Sequence, residues 1–119
     1  MIQLSINIDH KNSYQIPSES DIKETILKVL NDKNLEGDFE VDVKFVSCQE
    51  IHKLNREYRE IDKPTDVLSF PIQEKVVSDM SAPVLLGDII ICPEMAEVSI
   101  LELIEHSTLH LLGYHHPGD

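Results

Sequence analysis

The chain has 119 residues, 41% of them hydrophobic, enough for one domain with one core and too few for two. Aromatics make up only 5% and Trp is absent, so that core must rest on Ile, Leu and Val. A formal charge of −12 argues against a protein that finds nucleic acid by long-range electrostatic attraction. No apolar run approaches the length that spans a bilayer. The N-terminus, MIQLSINIDH, lacks the charged and apolar regions of a signal peptide. Cys48 and Cys92 lie far apart in sequence and form no C-x-x-C, which fits two reduced thiols in a cytoplasmic protein better than a disulfide.

Leu4, Ile6 and Ile8 alternate and predict a first strand. Ser18 with Asp21 resembles a capping box, and Ile22, Ile26, Val29 and Leu30 follow at helical spacing. Asn34 to Asp38, with Gly37, reads as a turn. Phe39, Val41, Val43 and Phe45 alternate with polar residues and predict a half-buried second strand. Ser47 with Glu50 opens a short helix expected to turn Ile51, Leu54 and Tyr58 inward. Lys53 and Arg56 read as its solvated face. A turn around Pro64 leads to a third strand, Val67 to Phe70, ended by Pro71. Gln73 to Pro83 reads as a polar, irregular and mobile loop. Leu85 to Cys92 is apolar enough for the sheet centre. Pro93 and Glu94 suit the first turn of a last helix, apolar nearly all round, which Gly113 ends. The expected order is βαβαββα: an α/β (α+β) domain over residues 1–119, a small mixed four-stranded sheet with packed helices.

His106 and His110 stand four apart on that last helix, which puts two imidazoles on one face within reach of one ion. Gly113 lets the chain turn back, and His116 supplies a third nitrogen. The pattern H-x-x-x-H-x-x-G-x-x-H has the ligand spacing of metzincin metalloproteases. Three neutral imidazoles suit one zinc ion and leave its fourth position open, the mark of a catalytic site. His115 competes with His116 for the third place, and the spacing favours His116. His10 and His52 fall in no such pattern and read as surface residues. In H-E-x-x-H proteases the residue after the first histidine is the general base. Here it is Ser107, which cannot do that work at neutral pH, so the chemistry differs from proteolysis.

Three blocks then resemble a known family. HSTLHLLGYHH, from His106 to His116, resembles the H-G-x-L-H-L-x-G-Y-D-H signature of the YbeY family of bacterial endoribonucleases. LNREYREIDKPTDVLSFP, Leu54 to Pro71, looks like its L-N-x-x-Y-R-x-x-D-x-P-T-D-V-L-S-F-P segment. LGDIIIC, Leu86 to Cys92, is similar to its L-G-D-I-x-I-C strand. The resemblance implies a zinc-dependent, single-strand-specific endoribonuclease in ribosomal RNA maturation, at the 16S 3′ end, and in ribosome quality control. It implies one zinc on His106, His110 and His116, and single-stranded ribosomal RNA with ribosomal subunits or ribosomal proteins as partners, with no DNA and no membrane. Arg59 matches the arginine that the family needs for activity, and a guanidinium suits phosphate oxygens. The other reading of Arg59 is an exposed ion pair with Glu60 or Asp62. Asp62, Pro64, Thr65 and Asp66 read as a capping turn. Ser69 and Phe70 either line a cleft or pack, and Asp66 or Asp88 is a candidate partner for a ligand histidine N–H.

Three features depart from the family's pattern. Ser107 replaces Gly, His115 replaces Asp, and the stretch between the fourth strand and His106 is short. The acidic surface and His115 leave room for an alternative from another class, a ribosome-associated assembly factor with a structural zinc. A zinc peptidase ranks third because of Ser107.

Overall fold

In the computed structural model, residues 2–10, 14–72 and 83–114 are described. The elements run β1 (Ile2–His10), α1 (Glu19–Asp32), β2 (Gly37–Phe45), α2 (Cys48–Arg59), β3 (Val67–Pro71), β4 (Val84–Ile91) and α3 (Ile100–Leu111), with a single 3-10 turn at Pro93–Met95 before α3. The expected βαβαββα order and mixed four-stranded sheet are observed. The sheet order is β1-β2-β4-β3. β1, β2 and β4 are parallel, and β3 lies antiparallel on the edge of β4. The apolar β4 therefore occupies an interior position, as its composition predicted. The expected loop from Gln73 to Pro83 falls, apart from Pro83, outside the described residues. No helix among the described residues is long and apolar enough to cross a membrane.

Each α-helix begins at a serine whose hydroxyl accepts a backbone N–H that the helix itself cannot satisfy. Ser18 accepts from Asp21, Ser47 from Glu50 and Ser99 from Glu102, at 3.1, 3.2 and 3.1 Å. The third cap corrects the expected start of the last helix. Pro93 and Glu94 form only the 3-10 turn, and α3 starts at Ile100 once Ser99 supplies the cap. Tyr58 is a second correction: it is exposed rather than inward.

Two apolar clusters hold the layers together. Ile22, Ile26 and Leu30 of α1 and Ile104 and Leu111 of α3 pack on Phe39, Val41, Val43, Leu86, Ile89 and Ile91 on one sheet face. On the other face, Ile51 of α2 packs with Leu68, Ile90 and Cys92. Beyond α2 that second face stays polar, where the Asn7 side-chain amide donates to Glu40 Oε1 at 3.1 Å and to Asp42 Oδ1 at 2.8 Å. The two cysteines meet across the α2 side. Their sulfurs are 3.4 Å apart and both are free thiols, well beyond the ~2.05 Å of a disulfide. Burial and the neighbouring Cys48 push the Cys92 thiol up to about 11.

Gly87 interrupts the alternation of β4 at an irregularity in its pairing with β2, between Glu40 and Val41. Its φ of +142° is one that side chains rarely adopt. A β-carbon there would lie 2.2 Å from the Phe70 carbonyl oxygen and 3.0 Å from Leu111 Cδ2. The glycine lets β3 and α3 close onto β4, and that closure brings the site together.

Candidate active site

His106 and His110 project from one face of α3. Their Nε2 atoms lie 2.9 Å apart and their ring centroids 4.5 Å apart. The helix ends just beyond them. Gly113, at φ +93°, donates its N–H to the His110 carbonyl at 3.0 Å, and Tyr114 N–H reaches the Leu109 carbonyl at 2.9 Å. These two bonds form a Schellman motif, with Gly113 ending the helix as expected. Lys33, at the end of α1, stacks its ammonium 4.2 Å from the Tyr114 ring centroid and so fastens this turn to the neighbouring helix. His115 and His116 lie outside the described residues. Among the described residues the nitrogen donors therefore stop at two, and no larger metal-binding cluster forms.

The two histidines open onto a cavity of about 560 Å³ walled by three elements. α3 contributes His106, Ser107 and His110. The end of α2 contributes Tyr58 and Arg59, and the segment through β3 contributes Thr65, Asp66, Ser69 and Phe70. Arg59 and the histidine pair, 47 or more residues apart in sequence, thus share one cleft. Arg59 makes no ion pair with Glu60 or Asp62 among the described residues. Asp62 instead shares a hydrogen bond with the partly exposed His52, at 2.8 Å.

Local bonds explain how α2 delivers Arg59. Glu60 takes a left-handed conformation, φ +60°, and its N–H bonds the Asn55 carbonyl. Ile61 N–H reaches the same carbonyl at 3.3 Å. The buried Asn55 side chain then donates to the Lys63 carbonyl at 2.9 Å. This one asparagine clamps the turn between Arg59 and the cleft's Thr65 and Asp66. The N of the L-N-x-x-Y-R block was legible as a letter, but its bracing role needed the folded turn.

The two carboxylates expected as partners for a ligand histidine N–H separate. Asp66 lines the cavity, and its carbonyl accepts Cys92 N–H at 2.9 Å, extending the β3–β4 pairing. Asp88 does not line this cavity. It lies in a different groove, on the polar sheet face, with Asn7, Asp42 and Lys44. Burial first, then the like charge of Asp42, raises its carboxyl above the ordinary value. Ser107 is 1% exposed, and its hydroxyl oxygen has no hydrogen-bond partner among the described residues. A serine so placed cannot act as the base that a protease needs.

The sequence profile described as endoribonuclease YbeY matches residues 6–119. The chain belongs to the YbeY family. Endoribonuclease YbeY of Halalkalibacterium halodurans is 39% identical over 130 residues, covering 94% of this chain and 82% of the relative. The Clostridioides difficile enzyme is 37% identical over 125 residues, covering 93% and 82%. That of Finegoldia magna is 40% identical over 133 residues, covering 98% and 80%. A solution structure of a Thermotoga maritima protein is 32% identical, with a TM-score of 0.45, and covers 91% of this chain and 65% of that one. The three YbeY-like sequence blocks now have places in the fold. Leu54–Pro71 forms the end of α2, the clamped turn and β3. Leu86–Cys92 lies on β4 with its glycine, and the histidine block, as far as Tyr114, is the end of α3 and the turn that follows it.

Proposed function

We propose that this chain cuts single-stranded RNA, in the maturation of ribosomal RNA at the 16S 3′ end and in ribosome quality control in the cytoplasm. Its substrates on this reading are single-stranded ribosomal RNA segments, met with ribosomal subunits or ribosomal proteins. One observation carries the reading: Arg59 and the His106–His110 pair wall the same cleft.

The donor set fits zinc. Two imidazole nitrogens already converge at 2.9 Å, and tetrahedral zinc with bonds of about 2.0–2.1 Å needs them about 3.3 Å apart. A small change of side-chain torsion covers that difference. His116 is the third ligand by its spacing after Gly113. Zinc held there supplies Lewis acidity toward a phosphoryl oxygen and makes water acidic enough to ionise near neutral pH.

The chain's own groups do the rest. Arg59 holds two phosphate oxygens through its planar fork and offsets the charge that grows on the phosphoryl group as the bond breaks. The Asn55 clamp keeps that guanidinium at the end of a rigid helix. With Ser107 where proteases carry Glu, Asp66 is the one carboxylate among the described residues that line the cleft, which limits its negative charge toward an anionic substrate. At −12 overall, the chain needs this local positive group, because its general field repels RNA.

The test is cleavage of an unstructured oligoribonucleotide by purified protein. Chelation, His110→Ala and Arg59→Ala should each abolish it. Cleavage that survives His110→Ala would point to a contaminating nuclease and overturn the reading. Full ribosome binding without any cleavage, with unfolding on chelation, would instead make the zinc structural.

A further inference from the structure

Tyr58 is 66% exposed, yet it walls the same cleft as Arg59 and the histidines. A tyrosine at a helical position that the sequence pattern turns inward is ordinarily packed. Here the residue stays largely exposed. Phe70 touches it in an edge-to-face arrangement, centroids 5.3 Å apart and planes at 68°. Such a contact holds the ring's orientation and occupies at most one of its two faces. With 66% of the residue exposed, the ring keeps surface to meet a ligand in the cleft it lines. Phe70 itself packs against the cluster under α2, so the tyrosine rests on a fixed support.

Resting on the reading above, we propose that Tyr58, backed by Phe70, is a stacking platform for a nucleobase next to the phosphate held by Arg59. Three observations converge on a base as the occupant. Tyr58 and Arg59 are consecutive at the end of α2 and both line the cleft, so an aromatic ring and a phosphate-binding fork face the same ligand space. The cleft volume, about 560 Å³, lies within the roughly 300–1,000 Å³ typical of small-ligand sites and takes one splayed nucleotide. Finally, a chain of charge −12 gains little from general phosphate attraction, whereas stacking works without charge.

The platform also supplies a physical source for single-strand selectivity. Bases inside an A-form duplex are already stacked on both faces and lie out of reach of a side chain. Only an unpaired nucleotide can turn its base onto Tyr58 while its phosphate stays on Arg59.

The experiment compares two probes of equal length and charge: an oligoadenylate and an abasic oligoribose-phosphate. Binding is followed by fluorescence anisotropy with wild type, Tyr58→Phe and Tyr58→Ala, each checked for an unchanged thermal melt. Wild type should prefer the base-bearing probe by about tenfold or more, the usual yield of one base–aromatic stack. Tyr58→Phe should keep that preference and Tyr58→Ala should erase it. A preference that persists in Tyr58→Ala, or none in wild type, overturns the platform. Cleavage is scored separately. A preference that depends on Tyr58, with no cleavage by any variant, upholds the platform and counts against the endoribonuclease reading alone.

Discussion

The Nε2 atoms of His106 and His110 stand 2.9 Å apart across one turn of α3. The first prediction concerns metal. Purified protein should carry about one zinc per chain, and His110→Ala should carry none. The third ligand is decided by two further variants: His116→Ala should lose the metal and His115→Ala should keep it. Elemental analysis reads all of these, and loss confined to His115→Ala would reassign the ligand. Chelator should also lower the melting temperature, since a ligand at a hundred times its Kd stabilises the folded state by about 2.7 kcal/mol.

Gly87 and Phe70 set up the second prediction. A β-carbon at Gly87 would lie 2.2 Å from a backbone oxygen, which cannot swing aside as a side-chain tip would. The positive φ adds strain of its own. Gly87→Ala should therefore cost about 2 kcal/mol or more, at the upper end of single substitutions. Denaturant unfolding measures it. Because β3 must move to make room, the variant should also lose RNA cleavage under conditions where it remains folded. A loss of less than ~0.5 kcal/mol would mean that the β3–β4 approach is looser than described.

Much of this was legible in the sequence because local rules agreed with the fold. The caps at Ser18 and Ser47, the alternation of β2 and the glycine stop at Gly113 each act within a few residues. Ser99 escaped notice because Pro93 and Glu94 gave a second, earlier start signal, and the apolar residues between them masked the break. Tyr58 was misplaced for a related reason. Helical spacing from Ile51 and Leu54 points it inward, but at the end of α2 it stands exposed on the cleft wall beside Phe70. The meeting of Arg59 with the histidines, and the separation of Asp66 from Asp88, depend on β3 returning antiparallel beside β4. No local pattern encodes that pairing.

Asp88 provides a pH prediction. Burial and the neighbouring Asp42 raise its carboxyl above its ordinary value of 3.8, with Lys44 opposing. The folded chain thus holds this proton more tightly than the unfolded chain. Its contribution to stability is full below 3.8 and is lost as pH rises through the raised folded value. Asp88→Asn removes the charge that the fold disfavours, and its amide can still donate to Asp42. The variant should melt above wild type at pH 7, with the difference closing near pH ~3. An equal gap at both pH values would show that the effect is packing rather than ionisation.

Ser107 tests the claim that the protease base is absent rather than replaced. Its hydroxyl is buried without a partner among the described residues, and a buried unsatisfied polar group costs about 1–3 kcal/mol. Ser107→Ala removes that cost, keeps nearly the same volume and improves helix propensity. It should raise stability by up to about 1 kcal/mol and leave RNA cleavage within a factor of about two, less than the ~10²-fold typical of a lost proton-transfer group. Denaturant midpoints and cleavage rates measured side by side decide the matter. A fall in rate of a hundredfold with stability unchanged would make the hydroxyl part of the chemistry. A fall in stability would mean that it bonds a group beyond the described residues, and the segment carrying His115 and His116 is the nearest in sequence.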